Sequence, residues 1–277
     1  MTFPICFIKL FRVKNKTQVI TESNNIKGES NAEITPNQAV LKVLIAVPAY
    51  NEEATISSVV SRIREAMPGF DLLVVNDGSK DKTEDVLRAA GVKTASHLCN
   101  LGYSRAIQTA IRYALTCGYD ALITLDADGQ HQPEQIQEMY KAFLREDWDC
   151  LIGSRYVSTH DYSNSPPGRR LGMQIFSLLT RIILGHRIYD TTSGLKIIRQ
   201  RVLEPLIQWH FVDFHAEAIV FLSRLGFRIG EYPIKVAERE QGQSMYSAIS
   251  SILYPTKTIT MVFLGIIQAN LTLRKKR

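Results

Sequence analysis

The sequence has few cysteines, and they do not form a pattern that would hold a metal or a redox centre. The four residues show no CxxC spacing; they are Cys6, Cys99, Cys117 and Cys150. They are typical of reduced side chains that fill space in a cytoplasmic protein. The sequence also lacks a dense stripe of lysine and arginine interleaved with aromatic residues. It therefore predicts no nucleic-acid partner.

Long apolar runs are missing as well. Residues 3–11 are apolar, but Lys9 interrupts them and no small-residue cleavage site follows, so they make a poor signal peptide. Residues 259–267 are strongly apolar but far short of the ~20 residues that span a bilayer. They predict a helix at a membrane surface or against the core, followed by a basic tail at 274–277. We expect a cytoplasmic protein, and a peripheral position on the cytoplasmic face of a membrane stays open.

The composition is that of an ordinary globular protein. Of 277 residues, 45% are hydrophobic and 22% are charged, which is enough for one core of normal size. The formal charge of +6 and the pI of about 9.1 favour anionic partners, such as sugar nucleotides, lipid phosphates or a membrane surface. Residues 12–40 are polar and aperiodic, which predicts a mobile extension over 1–40. The main domain is expected at 41–245, and an apolar helix with the basic tail at 246–277.

Strand and helix patterns alternate along the main domain. A helical face recurs with a 3.6-residue period at Ile56, Val59, Val60, Ile63 and Met67. Strands are predicted at 41–47, 71–75, 92–95, 121–125, 149–154 and 228–233. Helices are predicted at 83–90, 101–116, 171–184 and 215–225, and a loop at 162–170. The alternation predicts an α/β protein with a mostly parallel, doubly wound sheet and helices on both faces.

Two carboxylates follow the predicted strand at 121–125. Asp126 and Asp128 are one residue apart, and side chains at i and i+2 of an extended chain point to the same face. A hard divalent cation such as Mg²⁺ or Mn²⁺, which prefers oxygen ligands, would offset their repulsion. Ligands bind at the carboxyl edge of open α/β sheets. The pair therefore predicts a metal that holds a phosphate-bearing substrate; a helix cap before Pro133 is the alternative.

Three further polar clusters lie at the ends of predicted strands. They are Pro48-Ala49-Tyr50-Asn51-Glu52, Asn76-Asp77-Gly78-Ser79-Lys80-Asp81 and Gly153-Ser154-Arg155-Tyr156. In a doubly wound sheet such loops converge on one crevice. Each cluster alone could be an ordinary turn or a common pair of carboxylates. Four such clusters, each at the carboxyl end of a predicted strand, indicate one site.

The motifs P-A-Y-N-E, N-D-G-S-x-D, D-A-D-G-Q-H, G-S-R-Y and D-x-x-S-G-L-K occur in this order within residues 41–245. In order and spacing they resemble the family 2 glycosyltransferases of the GT-A fold. The most similar branch is that of the dolichyl- or polyprenyl-phosphate sugar synthases and their relatives. The resemblance implies a nucleotide-sugar donor carrying UDP, GDP or dTDP, and Mg²⁺ or Mn²⁺ as cofactor.

On the donor side, the resemblance implies that Asp77 accepts hydrogen bonds from the nucleotide base. A carboxylate suits an N–H donor on such a base. Pro48, Tyr50 and Glu52 would frame the same pocket. A role for Asp77 in a turn or a helix cap is the alternative.

The resemblance also implies a metal site at the diphosphate. Asp126 and Asp128 would face the diphosphate and its metal, with Gln130 as a further oxygen ligand. Asp128 is a predicted catalytic residue for this reason. His131 is expected to be structural.

On the acceptor side, Arg155 would contact a phosphate of the donor or the acceptor, because its guanidinium is planar and permanently charged. A buried structural ion pair is the alternative for Arg155. Asp190 and Ser193 match the turn that shapes the acceptor side in the family, although capping duty is equally open. Arg239 matches an R-x-x-G-x-S element. The next family position is usually lysine, and Met245 stands there instead, which puts a lipid-phosphate contact of that loop in doubt.

The need for a general base depends on the acceptor. A hydroxyl acceptor requires a base within hydrogen-bond reach, and the candidates are Asp213, His215 and Glu217, with Glu217 as first choice. A polyprenyl phosphate requires none, because a phosphate monoester with a pKa of about 6 is already ionised at neutral pH. Helix-cap duty is the alternative for these three residues.

Together these observations predict an inverting, metal-dependent glycosyltransferase with a polyprenyl (dolichyl-type) phosphate as acceptor. A hydroxyl of a cell-envelope glycan as acceptor and a non-catalytic nucleotide-sugar-binding protein are the alternatives. A nucleotidyltransferase would want a basic, glycine-rich loop after the first strand, and the loop here is acidic. Peripheral membrane contact and a homo-oligomer stay open.

Overall fold

The computed structural model describes residues 9–10, 41–160, 162, 167–209, 211, 214–236 and 248–275. The strands of this part are β1 (Lys9–Leu10), β2 (Val43–Ala49), β3 (Asp71–Asn76), β4 (Lys93–Ser96), β5 (Ala121–Thr124), β6 (Cys150–Ser154), β7 (Lys196–Arg199) and β8 (Ile229–Pro233). They form one mixed sheet in the order β1-β4-β3-β2-β5-β7-β6-β8.

Helices connect most of the strands. They are α1 (Ile56–Ala66), α2 (Thr83–Ala89), α3 (Tyr103–Thr116), α4 (Pro133–Arg145), α5 (Pro167–Leu184), α6 (Gln200–Ile207), α7 (Ala216–Arg224) and α8 (Ala248–Lys275). In α1 the apolar residues of the 3.6-residue pattern are the buried ones, Ile56, Val59, Val60 and Ile63. The sequence therefore identified the face that this helix packs on the sheet.

The central strand β2 is buried on both faces, and alternate residues enter two different cores. Leu44 and Ala46 pack into a core that includes residues of α3, α5, α6, α7 and α8. Ile45 and Val47 pack into a second core, which includes residues of α1, α2 and α4. Continuous apolar strands are typical of sheets covered on both sides. The predicted α/β architecture with helices on both faces is confirmed.

The sheet departs from simple parallel winding at β7. Strands β2, β3, β4 and β5 are parallel, as are β6 and β8, but β7 runs antiparallel between β5 and β6. Thr124 of β5 pairs with Lys196 of β7. The turn that precedes β7 therefore lies beside the residues that follow β5, a neighbour relation that alternation of strands and helices did not predict.

One helix boundary differs from the prediction, and a second helix lies within 246–277, where an apolar helix was expected. The region 162–170 was expected to be a loop, but α5 begins at Pro167. Proline suits the first turn of a helix, since its missing N–H has no partner to lose there. The apolar run at 259–267 is the centre of the 28-residue helix α8, which continues through Pro255 and several serine and threonine residues.

The ends of the chain are described only in part. Lys9 and Leu10 pair antiparallel with Ser96 and Ala95 of β4, and the rest of the predicted extension lies outside the described residues. Mobility of residues 1–40 stays a prediction. Among the described helices, none combines the length and the apolarity needed to cross a membrane.

Candidate active site

The loops after β2 and β3 are joined at the carboxyl edge of the sheet. The Asn51 backbone N–H donates to Ser79 Oγ at 3.0 Å, and the Lys80 N–H donates to Asn51 Oδ1 at 2.8 Å. Asn51 has a φ of 55°, a left-handed conformation in which asparagine is enriched. The two loops are thereby fixed against each other.

Three more hydrogen bonds extend this contact into α2. The Glu53 N–H donates to Asp81 Oδ2 at 3.1 Å, and the Lys82 N–H donates to Glu53 Oε2 at 2.8 Å. The Glu52 N–H donates to Thr83 Oγ1 at 2.8 Å. Residues 50–53 and 79–83 therefore form one hydrogen-bonded unit, which we call the loop pair.

A cavity of about 580 Å³ opens beside the loop pair, and Tyr50, Lys80 and Asn100 are among its lining residues. Tyr50 is 39% exposed, so its ring is accessible to a ligand. The other two predicted frame residues lie close by in sequence but are half-buried. They are Pro48, within β2, and Glu52, whose Oε2 accepts a hydrogen bond from the Thr55 hydroxyl at 2.7 Å.

Asp77 is buried and is not among the residues that line this cavity, although its neighbours Asn76 and Gly78 are. Its Oδ1 is 2.6 Å from His97 Nδ1 and accepts the Leu101 N–H at 2.9 Å, while Oδ2 accepts the Gly102 N–H at 2.8 Å. These contacts hold the segment that leads into α3. They favour the structural alternative for Asp77, and its predicted contact with a nucleotide base stays a prediction.

Gly78 allows this segment to approach so closely. A Cβ at this position would lie 2.7 Å from the Asn100 backbone nitrogen and would overlap the Cys99 backbone. Its φ of +69° also favours glycine. The glycine of the N-D-G-S motif is therefore required by packing as well as by the turn.

Asp126 is the carboxylate at the centre of the edge. Its side chain is 32% exposed, and Oδ2 lies 3.8 Å from Nε2 of the buried His131. Burial raises the pKa of Asp126, but its interactions with the neighbouring side chains of His131, His215 and Lys196 outweigh that effect and hold the pKa below its usual range. The group is therefore an ionised, partly accessible carboxylate at neutral pH.

Gly194, in the turn before β7, packs directly on this carboxylate. A Cβ at Gly194 would overlap both carboxylate oxygens of Asp126. The glycine of the D-x-x-S-G-L-K motif therefore sets the position of Asp126, which sequence reasoning did not predict because the two residues are far apart in the chain.

The other predicted metal ligands are nearby in the same turn. Asp128 and Gln130 are both half-buried, and the Gln130 N–H donates to Asp128 Oδ1 at 3.1 Å. Among the described residues, no three histidine, cysteine, aspartate or glutamate side chains cluster as a metal cage. Magnesium is commonly held by one or two carboxylates together with substrate phosphates. This donor set fits a cation that is shared with a diphosphate.

Arg155 forms a buried strut with Asp190. Its Nε donates to Asp190 Oδ2 at 2.7 Å, and Nη2 donates to Asp190 Oδ1 at 2.9 Å and to Thr192 Oγ1 at 2.7 Å. The Asp190 side chain is fully buried, whereas that of Arg155 is 22% exposed. This is the structural ion pair that sequence reasoning left open, and a phosphate contact of Arg155 stays a prediction.

The opposite charges of Arg155 and Asp190 stabilise each other at a buried position. Burial raises the pKa of Asp190, but the charge and hydrogen bonds of Arg155 outweigh it and hold the pKa below its usual range. The Asp190 N–H and the Tyr189 N–H both donate to the carboxylate of Glu231, at 2.7 and 2.8 Å. The strut is thus tied to β8 as well as to β6.

A buried lysine is the functional candidate that the sequence did not single out. Lys196 Nζ donates to the Ser193 carbonyl at 2.5 Å and lies 3.1 Å from His215 Nδ1. Ser193, predicted to bind substrate, is itself buried, and its Oγ accepts the Leu195 N–H at 3.2 Å. The final letter of the D-x-x-S-G-L-K motif was the available signal for Lys196.

The remaining predicted residues are buried or lie outside the described part. Glu217 is fully buried, and its Oε1 accepts a hydrogen bond from Gln268 of α8 at 2.5 Å. Because no surface of Glu217 is accessible, an acceptor could not contact it. This placement favours a packing role over the predicted role as a general base. Asp213 and Arg239 lie outside the described residues.

We compared the chain with models of known protein families. The profile described as glycosyl transferase family 2 matches residues 44–207. The chain belongs to this family. The predicted resemblance is thereby confirmed, and the protein is a glycosyltransferase that uses a nucleotide-sugar donor.

Two relatives extend the family assignment beyond the matched core. The glycosyltransferase is 36% identical over 216 residues to an undecaprenyl-phosphate mannosyltransferase of Micrococcus luteus, covering 75% of this chain and 88% of the relative. It is 33% identical over 231 residues to a polyprenol monophosphomannose synthase of Mycolicibacterium smegmatis, covering 79% and 85%. These similarities agree with the predicted polyprenyl-phosphate sugar synthase branch.

Solved structures show the same fold. Glucosyl-3-phosphoglycerate synthase from Mycobacterium tuberculosis, in complex with Mn²⁺, UDP-glucose and phosphoglyceric acid, superposes with a TM-score of 0.60 at 18% identity, covering 81% of this chain and 79% of that one. A complex of that enzyme with Mg²⁺ and UDP also gives 0.60 at 19% identity, covering 81% and 79%. The predicted GT-A fold is confirmed.

Proposed function

We propose that this glycosyltransferase moves a hexosyl group from a nucleotide-sugar to a polyprenyl phosphate of the dolichyl type, with inversion and with Mg²⁺ or Mn²⁺. The observation that carries the proposal is Asp126, an ionised and partly exposed carboxylate that Gly194 locks at the carboxyl edge of the sheet. The cavity beside the loop pair lies at the same edge and has room for a nucleotide.

The donor would bind across this edge. Its nucleotide would enter the cavity beside Tyr50, and its diphosphate would lie toward Asp126 and Asp128. Asp126, Asp128 and Gln130 would hold a divalent cation, which would neutralise the negative charge that grows on the leaving diphosphate. In a single in-line displacement, an oxygen of the acceptor phosphate would bond to the anomeric carbon while the bond from that carbon to the leaving diphosphate breaks, which inverts the configuration.

The burial of Glu217 weakens the case for a hydroxyl acceptor, because Glu217 is the first choice among the three candidate bases. A hydroxyl needs a base that can reach it, and Glu217 is fully buried and bound to Gln268. A phosphate monoester is already ionised at neutral pH. The names of the relatives from Micrococcus luteus and Mycolicibacterium smegmatis also point to polyprenyl phosphates.

A lipid acceptor places the reaction at a membrane surface. Because no described helix has the length and apolarity to span a bilayer, we propose a peripheral position on the cytoplasmic face. The apolar helix α8 and its basic end are the elements suited to it.

The test is transfer from labelled UDP-, GDP- and dTDP-sugars to a polyprenyl phosphate in detergent, with the matching polyprenol as acceptor control. We expect Mn²⁺-dependent product with the phosphate and none with the polyprenol. Asp128→Asn should reduce the rate by about 100-fold or more, because charge on the leaving group loses its partner. Glu138→Gln removes an exposed carboxylate, whose side chain is 60% exposed, and should leave the rate unchanged.

Other outcomes would redirect the assignment. Product on the polyprenol or on a glycan would favour the hydroxyl-acceptor alternative. Tight binding of a nucleotide-sugar without turnover on any acceptor would favour a non-catalytic binding protein. Equal rates for wild type and Asp128→Asn would remove the basis of the proposed metal site.

A further inference from the structure

Two basic side chains lie within electrostatic reach of the Asp126 carboxylate. Lys196 of β7 is buried, and its Nζ is 3.1 Å from Nδ1 of His215, the residue before α7. Both side chains interact electrostatically with Asp126. We call these two residues the lysine–histidine pair. The pair is therefore close to the carboxylate that is proposed to hold the metal and the diphosphate.

The contact between the two side chains assigns the hydrogen atom of the His215 ring. An ammonium group has three N–H donors and no acceptor, and the ionised Asp126 favours the ammonium form of Lys196. His215 Nδ1 therefore accepts a hydrogen bond from Lys196. A second positive charge so close to the ammonium is disfavoured, so the imidazole is neutral. In a neutral imidazole one nitrogen accepts and the other donates, so Nε2 carries the hydrogen.

Two further contacts fix the position of His215. Its ring stacks on the Tyr103 ring, with the centroids 5.0 Å apart and the planes inclined by 21°. The N–H of the preceding residue, Phe214, donates to Ser104 Oγ at 3.2 Å. The segment before α7 is therefore attached both to β7 and to the first turn of α3, which leaves the His215 ring little freedom to turn.

The first turn of α3 connects the lysine–histidine pair with the cavity beside the loop pair. Asn100 lines that cavity, and α3 begins shortly after it at Tyr103. Tyr103 and His215 are both half-buried, so their stacked rings keep some accessible surface. The stack is therefore attached to the segment that borders the cavity, and through His215 it comes within reach of Asp126.

The order of these groups matches the order of the parts of a nucleotide-sugar. In the proposed complex the nucleotide fills the cavity and the diphosphate lies toward Asp126. The hexosyl group is attached at the far end of the diphosphate, and it therefore comes within reach of the stack of Tyr103 and His215. The hydroxyl groups of a hexosyl group accept hydrogen bonds, and an imidazole N–H is a suitable donor for them.

We propose that His215 donates a hydrogen bond from Nε2 to a hydroxyl of the transferred hexosyl group, and that Lys196 positions the ring for this contact. His215 is then a specificity-determining residue, and Lys196 is a positioning residue that acts through it. Any partner of the Nε2–H before the donor binds is exchanged for the sugar, because one hydrogen bond replaces another at little net cost. The inference rests on the proposed function in one respect, the direction of the donor across the edge.

The same contact changes the standing of His215 as a candidate base. A general base must accept a proton from the attacking hydroxyl. The Nε2 atom already carries a hydrogen, and Nδ1 is occupied by Lys196 at 3.1 Å. His215 therefore recognises the donor and does not activate an acceptor.

Calorimetry on the full chain with Mn²⁺ tests the contact by comparing each nucleotide-sugar with the nucleoside diphosphate that lacks the hexosyl group. The probes are UDP-glucose with UDP, GDP-mannose with GDP, and dTDP-glucose with dTDP, and the most tightly bound pair is used for the variants. The Kd of the nucleotide-sugar divided by the Kd of its nucleoside diphosphate, which we call the sugar ratio, isolates the contribution of the hexosyl group. A merely structural change in the nucleotide pocket would alter both Kd values by the same factor and leave the sugar ratio unchanged.

Variants of the lysine–histidine pair separate the N–H donor from the packing of the ring. His215→Phe keeps an aromatic ring beside Tyr103 but removes the donor, and it should raise the sugar ratio by about fivefold, the effect of one net hydrogen bond. His215→Gln restores an N–H donor and should keep the sugar ratio within about twofold of wild type. Lys196→Met should raise the sugar ratio by about twofold or more, because the ring loses the contact that assigns its hydrogen. Lys196→Arg keeps a cationic donor and should have a smaller effect.

Donors that lack a single hydroxyl identify the partner of His215. The monodeoxy form without the recognised hydroxyl should bind the wild type about fivefold more weakly than the parent donor does. It should bind His215→Phe as tightly as the parent donor, because the contact is already lost in that variant.

His160→Asn is the matched control. His160 also stacks on a tyrosine, Tyr189, with the ring centroids 4.4 Å apart, and its φ of 54° is one that asparagine tolerates. This variant should leave the sugar ratio unchanged. Circular dichroism verifies that each variant is folded.

Three results would overturn the inference. One is an unchanged sugar ratio in His215→Phe, and another is an equal change in His215→Phe and His160→Asn. The third is a set of monodeoxy donors that all lose the same affinity on wild type and on His215→Phe. Failure of the proposed function would be seen separately. Asp128→Asn should raise both Kd values without changing the sugar ratio, and no acceptor is present, so failed transfer to a polyprenyl phosphate would not affect the result. A chain that binds none of these nucleotides would overturn both proposals.

Discussion

The proposed donor side and the proposed acceptor side of the edge are held by different interactions. On the donor side, the loop pair is joined by five short hydrogen bonds between backbone N–H groups and polar side chains, many of them at exposed positions. On the acceptor side, a buried ion pair joins Arg155 to Asp190, and Glu231 ties it to β8. Exposed hydrogen bonds can be replaced by water one at a time, whereas a buried charge cannot lose its partner cheaply. We therefore expect a substitution on the acceptor side to cause a large loss of unfolding free energy. Substitutions on the donor side should each have a smaller and separate effect.

The largest effect should come from Asp190→Asn. It leaves the Arg155 guanidinium without its counter-charge in a mostly buried position, which typically costs about 3–5 kcal/mol in the free energy of unfolding. Urea denaturation measures that loss. Asp147→Asn is the matched control, since Asp147 pairs with Arg199 at 2.8 Å but its side chain is 63% exposed, and an exposed pair contributes about 1 kcal/mol or less. Similar losses for both variants would contradict the contrast between the two sides.

The same pair predicts a dependence on pH. The folded-state pKa of Asp190 lies below its usual range, so its contribution is complete above the unfolded-state pKa of about 4 and is lost as the pH falls through the folded-state value. The difference in unfolding free energy between wild type and Asp190→Asn should therefore be constant near neutral pH and shrink below about pH 4. If this difference in unfolding free energy grew as the pH falls, it would contradict the prediction.

A smaller and more local effect is expected for Gly194→Ala. The new Cβ overlaps the Asp126 carboxylate, so the carboxylate must move, and displaced supporting groups typically reduce metal affinity by about 10–100-fold. Calorimetry with Mn²⁺ and UDP measures the affinity. Gly230→Ala is the control, because its Cβ would lie 2.7 Å from the Trp148 ring, in another part of the sheet. Gly230→Ala should lower the free energy of unfolding and leave the Mn²⁺ affinity unchanged. A loss of Mn²⁺ affinity in Gly230→Ala but not in Gly194→Ala would contradict a role of Gly194 in positioning Asp126.

The smallest effect should come from Ser79→Ala on the donor side. It removes the acceptor of the Asn51 N–H, and a net hydrogen bond contributes about 1 kcal/mol. We expect KM for the donor to rise by roughly twofold to fivefold with little change in kcat, since donor and transition state use the same loops. Ser61→Ala, at an exposed position of α1, should change neither. If Ser79→Ala lowered the free energy of unfolding as much as Asp190→Asn does, the contrast between the two sides would be wrong.

Much of the donor side could be predicted from the sequence because its signals are local. The period of α1 identified its buried face, and the clusters at strand ends identified the loops around Tyr50 and Asp77. Asp126 was identified by its position just after a buried strand. In each case a short segment carries both the strand or helix and the polar residue that it presents.

The acceptor side could not be predicted in the same way because its contacts join distant segments. Arg155 and Asp190 are 35 residues apart in sequence, and neither position reveals the other. The burial of Glu217 depends on α8, whose Gln268 binds it from 51 residues further along the chain. Helix α5 lies between β6 and β7, an order that is typical of a parallel crossover, so the alternation of strands and helices gave no sign that β7 runs antiparallel.

The antiparallel strand β7 has a consequence for the order in which the protein matures. Asp126 follows β5, but the glycine that positions it and the lysine that helps to keep it ionised arrive about 70 residues later with β7. Chains emerge from the ribosome amino end first, and contacts of long sequence separation form slowly. A nascent chain that has completed β2 to β5 therefore has the loop pair without the residues that position Asp126, and it gains them only when β7 inserts beside β5.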